Sequence, residues 1–216
     1  GFVSYLTNEE LGVHHDKPII LMIDEYGKAN PAVKNAMLRL MLERKIGSYK
    51  LHKDSLVFAT TNLGAEGVGD LIPPHGRNRI VMSVMKKPTN LEFITYGINK
   101  GLDQTLLGWC KENPQLFYSF EDVKNPDDNP YIYHPKQQRT SFVTPRSLEA
   151  CSVWLERRDK LNDTTLTAML MGTIGERGAM DLMAFVKLAD QLPSLESIKK
   201  DPKNAKVPTS ASAVCM

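Results

Sequence analysis

The stretch PIILMIDEYGKANP, residues 18–31, decides the fold class: five apolar residues, Ile19 to Ile23, run straight into the carboxylates Asp24 and Glu25. A continuous apolar run of this length predicts a strand buried on both faces, as in a parallel sheet. Carboxylates are costly to desolvate without a partner. The strand is therefore expected to deliver Asp24 and Glu25 to a place where something meets them.

Working outward, NPAVKNAMLRLMLERK (30–45) predicts a helix, with Val33, Met37, Leu40 and Met41 at helical spacing, Asn30 as cap and Pro31 at the first helical position. IGSYKLH (46–52) suits a short extended excursion, and Leu56 to Thr60 predicts a second strand ending in Thr61-Asn62. A loop rich in glycine and proline (63–79) leads to a third strand candidate, Ile80 to Val84. Beyond Pro88 the pattern turns helical. Breaks are expected at Gly97 and Gly101, and Trp109 is expected to anchor a core. NPDDNPYIYHPKQQRT (125–140) reads as a loop or short hairpin inserted near 121–140. Three helical stretches follow, over 145–158, 163–174 and 176–192. The end, from about 193 to 216, is polar and without period, and is expected to be a disordered tail. The predicted organisation is α/β over 1–88 with parallel strands, then an all-helical domain over 89–192.

Bulk properties narrow the class. The chain has 216 residues, 42% hydrophobic and 24% charged, ordinary values for a globular protein with a real core. A net charge of +2 does not argue for nucleic acid or an anionic membrane. Cys110, Cys151 and Cys215 are odd in number and widely spaced, which suits a reducing compartment rather than a disulfide framework or a structural zinc. There is no basic, apolar leader pattern and no run long enough to span a membrane. The expected location is the cytoplasm.

In an open parallel sheet, ligands bind beyond the carboxyl ends of the strands. If the first two strands are neighbours, Asp24, Glu25 and Asn62 converge on one crevice. Nucleotide hydrolysis uses such groups: one carboxylate for Mg²⁺, a second to polarise the attacking water, and an amide to orient that water or the γ-phosphate.

Here the chain resembles a family. IILMIDE resembles the Walker B motif of the AAA+ ATPases, within the P-loop NTPases, and LVFATTN resembles their sensor 1 strand. GRNRIVMSV is similar to the arginine-finger position, with Arg79 first and Arg77 second, and TPRSLEA is similar to the sensor 2 helix start, with Arg146 on the lid. The four elements stand in the family's order over about residues 15–160, and the wording is most like the MoxR-type branch of remodelling ATPases. The resemblance implies a partial AAA+ core followed by a helical lid, and ATP and Mg²⁺ as cofactors. It implies that Asp24 holds Mg²⁺, Glu25 activates water, and Asn62 and Arg146 contact the γ-phosphate. Arg79, or Arg77, would reach a neighbouring subunit's nucleotide in a ring, hexameric by resemblance, that acts on a macromolecular partner.

One part of the pattern is missing. A P-loop needs G-x-x-x-x-G-K-[ST]. The only Gly-Lys is Gly27-Lys28, followed by Ala29, and GAEGVGD has no following Lys and Ser or Thr. The expectation is a piece of a longer ATPase whose phosphate loop lies upstream, so that these residues alone hydrolyse nothing. The alternative is a non-hydrolysing assembly or partner-binding module.

Other features carry plainer readings. Adjacent His14 and His15 point in different directions and do not make a metal site. Met169, Met171, Met180 and Met183 are expected to fill core. Lys199, Lys200, Lys203 and Lys206 are expected to be solvated.

Overall fold

The computed structural model describes residues 9–62, 78–193 and 195–205. The chain is mixed α/β and divides into two compact units, residues 1–84 and 85–216. The expected boundary lay at 88–89.

In the first unit, short 3-10 turns at Glu9–Leu11 and Val13–His15 precede strand β1, Ile20–Ile23. A 3-10 turn at Tyr26–Lys28 leads into helix α1, Pro31–Glu43. The Asn30 carboxamide accepts the Val33 N–H at 2.9 Å, as a cap should, and Pro31 supplies the preset φ of the first turn. The buried face of α1 carries Leu38 and Leu40, with Met37 partly covered, while Val33, expected inside, is exposed. Arg44 ends the helix in the left-handed region at φ 56°, and its guanidinium donates to the carbonyls of His52 (3.1 Å) and Ser55 (2.5 Å). A two-residue hairpin joins β2, Lys45–Ile46, to β3, Tyr49–Lys50, with Gly47 at φ 57°. Strand β4, Leu56–Ala59, then pairs in parallel with β1, Ile20 opposite Leu56 through Ile23 opposite Ala59.

Two expectations fail here. The β1 strand is buried on one face only. Leu21, Ile23 and Val57 pack on Val13, Leu40 and Leu51, whereas Ile20, 76% exposed, lies with Met22, Leu56 and Phe58 on the bare face. A side-chain period of two puts half of each strand on each face, and only one layer covers this sheet. The third strand does not form either: residues 81–89 have no regular structure, and Val81 is 96% exposed. β-Branched sequence supplies a preference for extended backbone but no ladder partner.

The second unit is helical. Helix α2 spans Asn90–Lys100, α3 Gln104–Glu112, α4 Pro145–Leu155, α5 Asp163–Ile174, α6 Glu176–Ala189 and α7 Leu195–Lys200. The last of these corrects the expected tail; Lys199 and Lys200 sit where cations favour a helix's carboxyl end. Residues 206–216, with Lys206 and Cys215, lie outside the described residues. Helices α5 and α6 pack on each other, α4 packs on α5, and α3 bridges α2 and α6. Leu106, Trp109, Leu116, Leu148, Leu170 and Leu182 fill the centre, and Trp109 is 2% exposed. Of the methionines expected to fill core, only Met183 is buried; Met171 packs partly against it, and Met169 and Met180 are exposed.

Gly97 is not a helix break. It lies buried within α2, where an added Cβ would stand 2.5 Å from a Leu107 methyl, so its missing side chain lets α3 approach. Gly101 does end the helix, at φ 77°. The 125–140 segment forms no strand among the described residues; side chains bind it in place instead. Asn129 donates to the Gln115 carbonyl at 2.9 Å, and Arg139 to those of Asn129 (2.9 Å) and Ile132 (2.7 Å). Buried His134 accepts the Gln137 N–H through Nδ1 at 2.8 Å and meets Asp127 through Nε2 at 3.0 Å. No helix among the described residues is long and apolar enough to cross a membrane.

Candidate functional site

The parallel pairing of β1 and β4 brings both carboxyl ends to one edge of the sheet. Past the last paired residues, the Thr60 N–H donates to the Ile23 carbonyl and the Tyr26 N–H to the Thr60 carbonyl, both at 2.9 Å. These two bonds carry the pairing beyond the strands and set Asp24 and Glu25 beside Thr60. The Thr60 hydroxyl donates to Asp24 Oδ1 at 2.5 Å and accepts the Glu25 N–H at 3.2 Å. The Glu25 N–H also meets Asp24 Oδ1 at 3.1 Å.

Glu25 adopts left-handed backbone, φ 52° and ψ 38°, which is uncommon for a residue with a side chain and tends to occur at functional sites. Tyr26 anchors the turn that follows. Its ring is buried, its hydroxyl donates to the Lys34 carbonyl at 3.1 Å, and burial raises its pKa. The Glu25 carboxylate, more than half exposed, pairs with the ammonium of Lys28 one turn on. An ion pair this exposed contributes little to stability, so Glu25 can be released to another partner at small cost.

Asn62 is exposed two residues beyond Thr60, its carbonyl accepting the Thr61 hydroxyl at 3.4 Å. Thr60, not Asn62, is the β4 residue that touches the carboxylates. The strand register decides this: with Ile23 opposite Ala59, the first threonine of ATTN falls beside Asp24. Lys28, which in sequence is only the second half of a glycine-lysine pair, is the cation that meets Glu25. Arg79 is exposed in a turn before the segment that does not form a strand, and Arg77 lies outside the described residues.

Arg146 belongs to the second unit. A reciprocal cap starts α4: the Thr144 hydroxyl accepts the Ser147 N–H at 3.0 Å, and the Ser147 hydroxyl accepts the Thr144 N–H at 2.8 Å. Pro145 follows at the first helical position, which leaves Arg146 exposed in the first turn. There it lines a cleft of about 440 Å³ with Glu92, Glu149 and the apolar walls Pro88, Phe93, Tyr96 and Pro145. The Thr89 N–H, and after it the Thr89 hydroxyl, hold the Glu92 carboxyl below the usual glutamate range. The hydrogen bond that Tyr96 donates to Glu149 raises the phenol.

The donor set at the sheet edge fits a hard cation. Among the described residues the hydrogen bonds to the exposed Asp24 carboxylate fall on Oδ1, which leaves Oδ2 the oxygen open to another partner. Magnesium is commonly held through one or two carboxylates with waters and phosphate oxygens completing the shell. No cluster of three or more His, Cys, Asp or Glu among the described residues is arranged to hold a metal by itself. The exposed rings of His14 and His15, expected to point apart, instead meet with centres 3.8 Å apart and planes tilted by 43°. Cys110 and Cys151 are unsuited to nucleophilic work: burial pushes both thiols up to about 12. The chain matches no family model, and no curated protein or solved structure matches it.

Proposed function

We propose that this chain forms part of an AAA+ ATPase, the end of its α/β core and its helical lid, that couples ATP hydrolysis to remodelling of a macromolecular partner. One observation carries the reading: the parallel β1–β4 pair puts the Asp-Glu terminus of one strand against the ATTN terminus of its neighbour. Asp24 holds Mg²⁺, which when bound neutralises phosphate charge. Glu25, freed from Lys28, accepts a proton from the attacking water. Asn62 orients that water or the γ-phosphate. Arg146, exposed in the first turn of α4, contacts the γ-phosphate from the lid. Arg79, or Arg77 in its place, reaches the nucleotide of an adjoining subunit in a ring, where an arginine contributes on the order of 10³–10⁵ in rate.

The test uses Glu25→Gln in a protein that carries this chain together with a phosphate-binding loop. Nucleotide binding is retained and turnover falls at least about 10²-fold, the scale of a lost general base. Unchanged turnover overturns the assignment.

A second reading, a partner-binding module without hydrolysis, is favoured by the bare apolar face of the β1–β4 pair. It predicts no magnesium-dependent ATP turnover by the 216 residues alone. Measured turnover by them excludes it.

A further inference from the structure

We infer that Thr60 is the positioning residue of the carboxylate pair, holding Asp24 and Glu25 in their working arrangement through one hydroxyl group. The inference rests on the hydrolase reading above. Three contacts carry it. The hydroxyl proton goes to Asp24 Oδ1 at 2.5 Å, and the hydroxyl oxygen accepts the Glu25 N–H at 3.2 Å. The Thr60 carbonyl accepts the Tyr26 N–H at 2.9 Å, so side chain and backbone of one residue grip three consecutive positions of the facing chain.

Each contact has a chemical consequence. By occupying Oδ1, the hydroxyl leaves Oδ2 as the oxygen available to a cation. It also fixes the carboxylate plane, as partners of ligating carboxylates do in metal sites. By holding the Glu25 amide it supports a left-handed backbone that a residue with a Cβ adopts at a cost, and that conformation sets the direction in which the Glu25 side chain leaves the sheet. Thr60 touches neither nucleotide nor water in this scheme. It acts through Asp24 and Glu25, and serine in its place keeps every one of these bonds, whereas valine keeps the shape and loses both hydroxyl contacts.

The experiment has two arms. In this chain, amide hydrogen exchange is read at Glu25 and Tyr26 for the native sequence, Thr60→Val and Thr60→Ser. Thr60→Val speeds exchange at Glu25 by up to about tenfold, the scale of one net hydrogen bond, the contact with Asp24 Oδ1 being the one its N–H retains, and leaves Tyr26, bonded to the backbone carbonyl, unchanged as the control for folding. Thr60→Ser restores the native rate at Glu25. Unaltered Glu25 exchange in Thr60→Val overturns the inference.

In a protein that also carries a phosphate-binding loop, Thr60→Val lowers kcat about 10- to 100-fold and raises the Mg²⁺ concentration needed, with KM for ATP held. Thr60→Ser recovers kcat. Native turnover in Thr60→Val beside a dead Glu25→Gln overturns the role of Thr60 and leaves the hydrolase reading standing. Native turnover in Glu25→Gln overturns both.

Discussion

The described residues of the second unit enclose a core: Trp109, Leu106, Leu148, Leu170 and Leu182, drawn from four helices, are fully or almost fully buried. The first unit centres on Val13, Leu40 and Leu51, and leaves Ile20, Met22, Leu56 and Phe58 bare on the other side of its sheet. The difference follows from how each element finds partners. A helix satisfies its own backbone and needs only an apolar stripe on its neighbour, which α5 and α6 obtain across a one-residue connection at Gly175. A parallel strand needs ladder partners and two covering layers, all from chain distant in sequence. The second unit thus encloses a large core while leaving side chains such as Leu91 and Ile98 outside it, and the first is held on one side of its sheet only.

That contrast can be broken by substitution. The largest effect is expected at the centre of the helical unit, where Trp109→Ala costs about 3–5 kcal/mol in a urea titration of its unfolding. A cost below about 1 kcal/mol would mean that the core is not close-packed. Next comes Gly175→Ala. The residue lies at φ 83° and ψ 164°, and a Cβ would stand 2.6 Å from the Ser141 carbonyl oxygen. Both the backbone and the overlap oppose alanine, for about 2–4 kcal/mol in the same titration. The smallest effect sharpens the comparison within a single strand. Ile20→Thr, on the bare face, changes stability by no more than about 0.5 kcal/mol, whereas Ile23→Thr, on the covered face, costs about 1–2 kcal/mol. Equal costs at the two positions would show that both faces of β1 are covered in solution.

Much of the local structure was legible. Asn30-Pro31, Thr144-Pro145 and Gly101 announced their helix ends because caps and proline act within a few residues of themselves. The strand ending in Asp24-Glu25 was legible for the same reason, as was the strand ending in Thr60. The errors arose where a partner had to be supplied. Ile80 to Val84 has strand composition but no ladder, Val33 and Met180 hold helical spacing but face water, and Gly97 looked like a break because a close approach to Leu107 cannot be seen along one chain.

The candidate site divides in the same way. Sequence by itself determined the residue types and their order: two carboxylates at one strand end, a polar terminus at the next, and an arginine in a capped first turn. The 216 residues themselves contain no GxxxxGK[ST]. Only the tertiary structure decided which groups touch. The β1–β4 register set Thr60, rather than Asn62, against Asp24, and the turn at Tyr26–Lys28 gave Glu25 its left-handed backbone and its lysine partner. The physical reason is the range of the forces. Propensity and capping act over one turn and are written in the local sequence, whereas a hydrogen bond between residues 24 and 60 depends on a register that every contact between the two strands sets together.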